Sequence, residues 1–427
     1  MILVSGNNSD DPGSRPLLPA DRLILGERKW APGDPLPPRR YVESFIASLL
    51  QSEHLNLLVG SGLTTGLAIA ADVDTTADLN AEITTGNAEL DEMLETAAVA
   101  SARASGRGEQ PNVEDRLRVA LQTHAGLSIL RDSRAAVLRE AIDNVLSSVR
   151  DSVVAIEAGI RAHSHDASNG GIRAVNLLTS FLATFVGRVP TRDRVQIFTT
   201  NYDRVIEWGA DQAGFRLLDR FIGSLEPVFR SSRLEIDYHY SPPGSYKEPR
   251  HLDGVFRLTK LHGSLDWRWI QHEHQVVREP STFGTASSVL ADELLIYPNA
   301  AKDVETSLYP YADLFRDFSA AACRPNSTLV TYGYSFGDDH INRVIHDMLT
   351  IPSAHLLIIA FSDDGERISR FIDTYRRTGQ VSLMLGPSFA NIARLTENWL
   401  PWPGTSPLIG SQVGAAHTED QEGGDKS

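Results

Sequence analysis

The sequence predicts an α/β protein, a parallel β-sheet covered by helices on both faces and interrupted by a large α-helical insertion. Three observations carry that reading. Short, mostly apolar runs recur at 55–59, 195–200, 255–261, 328–332, 355–361 and 381–385, with helical stripes between most of them. Gly60 and Asn201 lie 141 residues apart, far more than one crossover needs, and much of the interval has helical pattern. Several strands also end in glycine-rich or polar turns, which is where open α/β sheets build sites.

Composition narrows the class. The 427 residues leave room for one large domain with an insertion, or for two domains. Apolar residues make up 41%, enough for a sizeable core. A formal charge of −15 and a pI near 5.3 argue against a general affinity for nucleic acid or anionic lipid. Cys323 is the one cysteine, which excludes an intrachain disulfide framework and a thiolate zinc knuckle. No stretch approaches the roughly 18 apolar residues of a membrane span. Met1-Ile2-Leu3-Val4 lacks the basic flank of a signal peptide, so a soluble cytoplasmic protein is expected.

In chain order, residues 1–38 are rich in Pro, Gly, Asp and Arg without a sustained period and read as an extended N-terminal arm. Val42, Phe45, Ile46, Leu49 and Leu50 fall on one side of a helix over 41–50. The strand at 55–59 runs into Gly60-Ser61-Gly62-Leu63, a turn that would let the backbone approach a phosphate. Residues 75–190 read as the helical insertion, within a sheet domain made of 39–74 and 191–400. An Ala-rich helix covers 90–104. Leu138, Ile142, Val145, Val149, Val153, Ile156 and Ile160 then make one long stripe with spacings of four and three. So narrow a seam implies a partner helix, from this chain or from another subunit, and the stripe is a candidate surface for self-association. A polar break at 163–171 precedes a further stripe, Ile172, Val175, Leu178, Leu182 and Phe185.

The sheet resumes at 195–200, turns at Asn201-Tyr202-Asp203, and continues as a helix through Ala213 that stops at Gly214. The strand at 255–261 ends at His262-Gly263, and 294–297 is a further strand. A helix over 311–322 and the strand at 328–332 lead to the turn Gly333-Tyr334-Ser335-Phe336-Gly337, with Asp338 capping the next helix. Another helix spans 366–376, and the tail 404–427 has the composition of a disordered segment. Taken singly, each turn is weak. Asn201 reads equally well as a turn residue, Asp203 as a helix cap and His262 as a satisfied turn histidine. In one parallel sheet, however, the four strand ends open on one edge and their groups can converge.

Together these residues resemble the sirtuin-like NAD+-consuming domains, most closely the branch found in bacterial antiviral defence. The sirtuin order is a glycine-rich turn, Thr-Gln-Asn-Ile-Asp, His-Gly and Gly-Thr-Ser. This chain has Gly60-Ser61-Gly62, Thr199-Thr200-Asn201-Tyr202-Asp203, His262-Gly263 and Gly333-Tyr334-Ser335. It also carries the branch's Leu-His-Gly-Ser-Leu-Asp-Trp at 261–267 and Gly-Tyr-Ser-Phe-Gly-Asp at 333–338. Protein-deacylating sirtuins hold a small module on zinc with paired cysteines. A single cysteine cannot build it, so no zinc is expected and peptide deacylation is disfavoured.

The resemblance implies a Rossmann-like fold and NAD+ as substrate. It assigns Asn201, His262 and Asp203 to catalysis: Asn201 on the nicotinamide-side ribose or its attacking water, Asp203 on the carboxamide, His262 on a ribose hydroxyl. Gly60, Ser61, Gly62, Leu63, Thr200, Tyr202, Gly263, Gly333, Tyr334 and Ser335 would hold the dinucleotide. The implied activity is NAD+ glycohydrolysis to nicotinamide and ADP-ribose, as a defence effector that depletes cellular NAD+. The implied assembly is a homo-oligomer, with a HerA-type hexameric ATPase as a possible partner. A non-catalytic NAD+ or ADP-ribose sensor, or a scaffold subunit, is the alternative. Of the remaining candidates, His272-Glu273-His274 reads as a solvated loop, Trp267 and Trp269 as a rim or packing surface, and Lys302 as a surface lysine.

Overall fold

The computed structural model describes residues 16–75, 81–104, 109–164, 171–189, 192–232, 236–240, 250–270, 272–286, 294–296, 309–374 and 379–401. Strands β1 (Arg22–Leu25) and β2 (Arg28–Trp30) come first, then α1 (Arg39–Leu50), β3 (His54–Val59) and α2 (Gly62–Ala70). Next come the helices α3 (Ala88–Ala104), α4 (Val113–Leu130), α5 (Arg134–His163) and α6 (Gly171–Val186). The chain returns to the sheet with β4 (Gln196–Thr199), α7 (Val205–Ala213) and β5 (Arg216–Leu218). Short strands β6 (Phe221–Ile222), β7 (Val228–Phe229), β8 (His239–Tyr240) and β9 (Arg250–His251) lead to β10 (Val255–Lys260). Then follow β11 (Gly263–Ile270), β12 (Gln275–Arg278), β13 (Leu294–Ile296) and α8 (Tyr311–Ala322). The chain continues through β14 (Ser327–Tyr332), α9 (Asp339–Leu349), β15 (His355–Ala360), α10 (Arg367–Thr374) and β16 (Val381–Leu385).

Local chemistry sets several boundaries. Helix α7 stops at Gly214, whose φ of 69° puts it in the left-handed region that glycine adopts freely. Helix α4 starts with a reciprocal cap in which Asn112 and Asp115 each accept the other's backbone N–H. Helix α9 starts at Asp338, whose Oδ1 accepts from the amides of His340 and Ile341 at 3.0 and 3.5 Å.

The main sheet has nine strands in the order β2-β1-β16-β15-β14-β3-β4-β10-β5. The seven from β16 to β5 are parallel, and β1 and β2 run antiparallel at one edge. Alternate residues enter two separate cores. Leu57, Val59, Leu357 and Ile359 pack toward α1, α2, α6 and α7. Leu58, Leu329, Leu356 and Ile358 pack toward α8, α9 and α10. Burial on both faces is why these strands are mostly apolar rather than alternating, as the sequence predicted. A smaller antiparallel sheet, β13-β11-β12-β7-β6, lies beyond β10, and β8 pairs with β9.

From β3 the chain builds outward in both directions, through β4, β10 and β5 on one side and β14, β15 and β16 on the other. The reversal leaves a crevice at the carboxyl ends of β3 and β14. Here two glycine turns meet backbone to backbone. The amide of Gly60 donates to Tyr332 O at 3.0 Å and that of Gly62 to Gly333 O at 3.2 Å. A Cβ on Gly62 would sit 2.6 Å from the Gly333 Cα, and Gly333 itself has a φ of 62°. Neither position has room for a side chain.

Three sequence expectations change. The arm is not without elements: β1 and β2 form a hairpin that pairs with β16, with Leu23 and Leu25 buried. Strands of four and three residues are too short to register a period. Residues 1–15 of the arm, the tail 404–427 and Lys302 lie outside the described residues. Within the helical interval, α6 packs in the same core as α2 and α7, covering the sheet, while α3, α4 and the first half of α5 make a core of their own. The long stripe is filled from within the chain. Leu138, Ile142, Val145 and Val149 bury against α3 and α4, and Ile156 and Ile160 join the sheet core. It is therefore not a free surface for self-association.

Replacing Gly333 with Ala combines a steric clash with left-handed strain and should cost about 3 kcal/mol of stability. Urea unfolding measures it. A loss below about 1 kcal/mol would mean that the two turns separate easily.

Candidate functional site

A cavity of about 410 Å³ opens over the crevice, and all four strand-end turns reach it. Gly60 and Ser61 come from β3, Thr200 to Asp203 from β4, His262 from β10, and Gly333 to Ser335 from β14. Asn201 and His262, the two residues on which the resemblance leans most, therefore share one chamber. The opposite wall comes from the helical interval. The start of α4 supplies Asn112, Val113, Glu114 and Leu117, and α5 supplies Leu146, Val149, Val153 and Ile156. The floor is polar and the roof largely apolar.

Asn201 and Asp203 are both buried and joined through one hydroxyl. Asn201 Nδ2 donates to Gly60 O at 3.1 Å and to Thr64 Oγ1 at 3.2 Å. Thr64 Oγ1 in turn donates to Asp203 Oδ2 at 2.6 Å. The other carboxylate oxygen of Asp203 accepts from Val205 N at 3.1 Å, so this residue also fixes the start of α7, as the plainer reading held. With its amide nitrogen engaged, Asn201 has Oδ1 to offer as an acceptor to a hydroxyl or a water.

Below this turn lies Lys260, 3% exposed, which donates to Asp203 O and pairs with Glu207 at 3.0 Å. Burial pushes the Glu207 carboxyl upward, and the ammonium opposes that shift. The Tyr202 phenol is raised well above its ordinary range by burial and by neighbouring acids, so it serves as a neutral group.

His262 is buried with Nε2 2.8 Å from Asp338 Oδ2. Its ring lies 6.4 Å from that of Tyr202 and 6.5 Å from that of Phe315. Tyr334 OH donates to Asp338 O at 3.2 Å, tying the fourth turn to the same carboxylate residue.

Three expected ligand-binding residues are placed elsewhere. Leu63 is fully buried in the sheet core, Gly62 faces Gly333, and Gly263 begins β11 opposite Ile296. The amides of Gly60, Gly62 and Leu63 all donate to backbone carbonyls of the protein. The turn packs closely against Gly333, and Ser61, Thr64 and Thr65 line the cavity wall beside it. Sequence reasoning missed Thr64, Glu114, Asp338 and Arg367 as lining residues. It read Asp338 only as a cap, and it had no means of placing a helical roof over the sheet. Of the other candidates, Trp267 is a packing residue against Phe221 and Phe229, and His272 is exposed in the turn between β11 and β12.

The roof is fixed to the floor by one buried ion pair. Glu157 on α5 accepts from Arg204 at Nε (3.2 Å), NH2 (2.5 Å) and the backbone N (2.7 Å), directly after Asp203. Glu157 also accepts from Gly284 N at 3.1 Å.

Residues 195–378, which take in the Asn201, His262 and Gly333 turns, match the SIR2-like domain family. The Gly60 turn and the α3–α5 helices lie outside that match. No curated protein matches the sequence. SIR2-like domains are generally NAD+-consuming enzymes.

Replacing Glu157 with Ala leaves the Arg204 guanidinium buried and uncompensated, which should cost about 3 kcal/mol or more. Replacing both partners with Leu should restore much of that loss. Denaturant unfolding of the two single variants and the double variant tests the pair, and additive losses would show that it is not coupled.

Proposed function

We propose that this protein is an NAD+ glycohydrolase that cleaves NAD+ to nicotinamide and ADP-ribose. The observation that carries the reading is the convergence on one cavity of Asn201, Asp203 and His262, all of them in the segment that matches the SIR2-like domain family. In the reaction, the bond between nicotinamide N1 and the ribose anomeric carbon breaks, and nicotinamide leaves as a neutral base with the bonding pair. A water oxygen bonds to the anomeric carbon, and its proton passes to solvent or to a base. Positive charge develops on the ribose as the bond breaks. The acidic wall of Glu114, Asp203 and Asp338 favours that charge electrostatically. Asn201 Oδ1 orients the ribose hydroxyl or the attacking water, and His262 accepts a hydrogen bond from a ribose hydroxyl. Asp203, held by Thr64, faces the carboxamide. The apolar roof of Val149, Val153 and Ile156 limits the entry of bulk water.

The biological part of the proposal rests on the motif resemblance. The activity would deplete NAD+ in antiviral defence, in a homo-oligomer working with a HerA-type hexameric ATPase.

Nicotinamide release from NAD+ by wild type, Asn201→Ala and His262→Ala is the test. Each substitution should lower the rate by more than about tenfold with folding retained. A wild-type protein that binds NAD+ and leaves it intact, with or without the ATPase, would instead be a sensor.

A further inference from the structure

We infer that Asp338 is a positioning residue that fixes the tautomer of His262, so that the imidazole meets the substrate through Nδ1. The inference rests on the NAD+-cleaving reading for its catalytic consequence, though not for its geometry. An ionised carboxylate only accepts hydrogen bonds. Asp338 Oδ2 lies 2.8 Å from His262 Nε2, so in the neutral ring Nε2 carries the proton and Nδ1 the lone pair. Asp338 cannot swing away cheaply, because its Oδ1 caps α9 through the amides of His340 and Ile341. Among the described residues, none hydrogen-bonds to His262 Nδ1. The carboxylate thus does two jobs at once. It starts a helix with one oxygen and sets the polarity of the histidine with the other.

The same contact supports the imidazolium that forms when Nδ1 takes a proton from a ribose hydroxyl. That proton moves from the hydroxyl oxygen to Nδ1, while the Nε2 proton stays hydrogen-bonded to Asp338. The hydroxyl is restored by the proton that the attacking water gives up as its oxygen bonds to the anomeric carbon. The other ionisable groups around the ring are Tyr202 on the β4 turn and Asp203, Glu114, Tyr334 and Arg367 on the cavity wall. Tyr202 and Tyr334 are both held neutral by burial, and Asp338 is the group in hydrogen-bonding contact.

Asp338→Asn separates the two jobs. The Asn carbonyl retains the helix cap, and its NH2 then faces Nε2 as a donor, which forces the opposite tautomer. Histidine 15N NMR of the full chain at pH 8 should show protonated Nε2 for His262 in wild type and protonated Nδ1 in Asp338→Asn, with His262→Gln identifying the resonance. The thermal midpoint should stay within a few degrees. Nicotinamide release should fall at least about tenfold in kcat with KM little changed. Asp338→Glu should recover part of the rate. Wild-type His262 protonated at Nδ1, or an unchanged spectrum in Asp338→Asn, overturns the inference whatever the activity. A tautomer switch with unchanged turnover overturns its catalytic part. Failure of wild type to bind or cleave NAD+ sinks the underlying reading and leaves the tautomer result to stand or fall alone.

Discussion

The contact between the Gly60–Gly62 turn and Gly333 is the constraint on which the site depends. It joins the two strands that flank the reversal of the sheet at their carboxyl ends, with a spacing that no side chain permits. This seam forms the base of the crevice. Because the turns satisfy one another's backbone groups, the polar work at the cavity floor falls to side chains. Thr64 is the clearest case, as one hydroxyl orders both Asn201 and Asp203.

The second organising feature is the joining of a polar floor to an apolar roof. Glu157 reaches from α5 to Arg204, one residue beyond the Asn201 turn, and Lys260 supports the same turn from below. Buried pairs of this kind contribute modest net stability, but they penalise any arrangement in which one partner is left alone. The geometry of the turn and the seating of the roof are therefore set by the same few charges.

Much of this was legible in the sequence, and the limits have physical reasons. The main-sheet strands β3, β4, β10, β14, β15 and β16 were readable because both faces are largely buried, so each is mostly apolar rather than strictly alternating. Helix α8 was read at its observed limits, 311–322, and α7 within a residue of them, because Gly214 marks an end that backbone sterics enforce. The gathering of Asn201, His262 and Gly333 followed from one rule about where parallel strands end. The roof did not follow, since its stripe carries the same period whether it meets this chain or another. Nor, apart from β13, did the second sheet, because strands as short as two residues register no period. Gly62, Leu63 and Gly263 are not among the residues that line the cavity, for a simpler reason. A motif marks a turn, and only some residues of a turn face outward.

The hairpin of β1 and β2 has a consequence for how the molecule is made. Residue 22 pairs with residue 385, and Gly26 N donates to the Ser382 hydroxyl at 3.1 Å. During vectorial synthesis the earliest-made segment of the sheet has no template until the final strand leaves the ribosome. The exposed margin of β16 is sealed only then, by chain made before the rest of the sheet. Closure of this edge therefore follows the synthesis of every other strand of the main sheet.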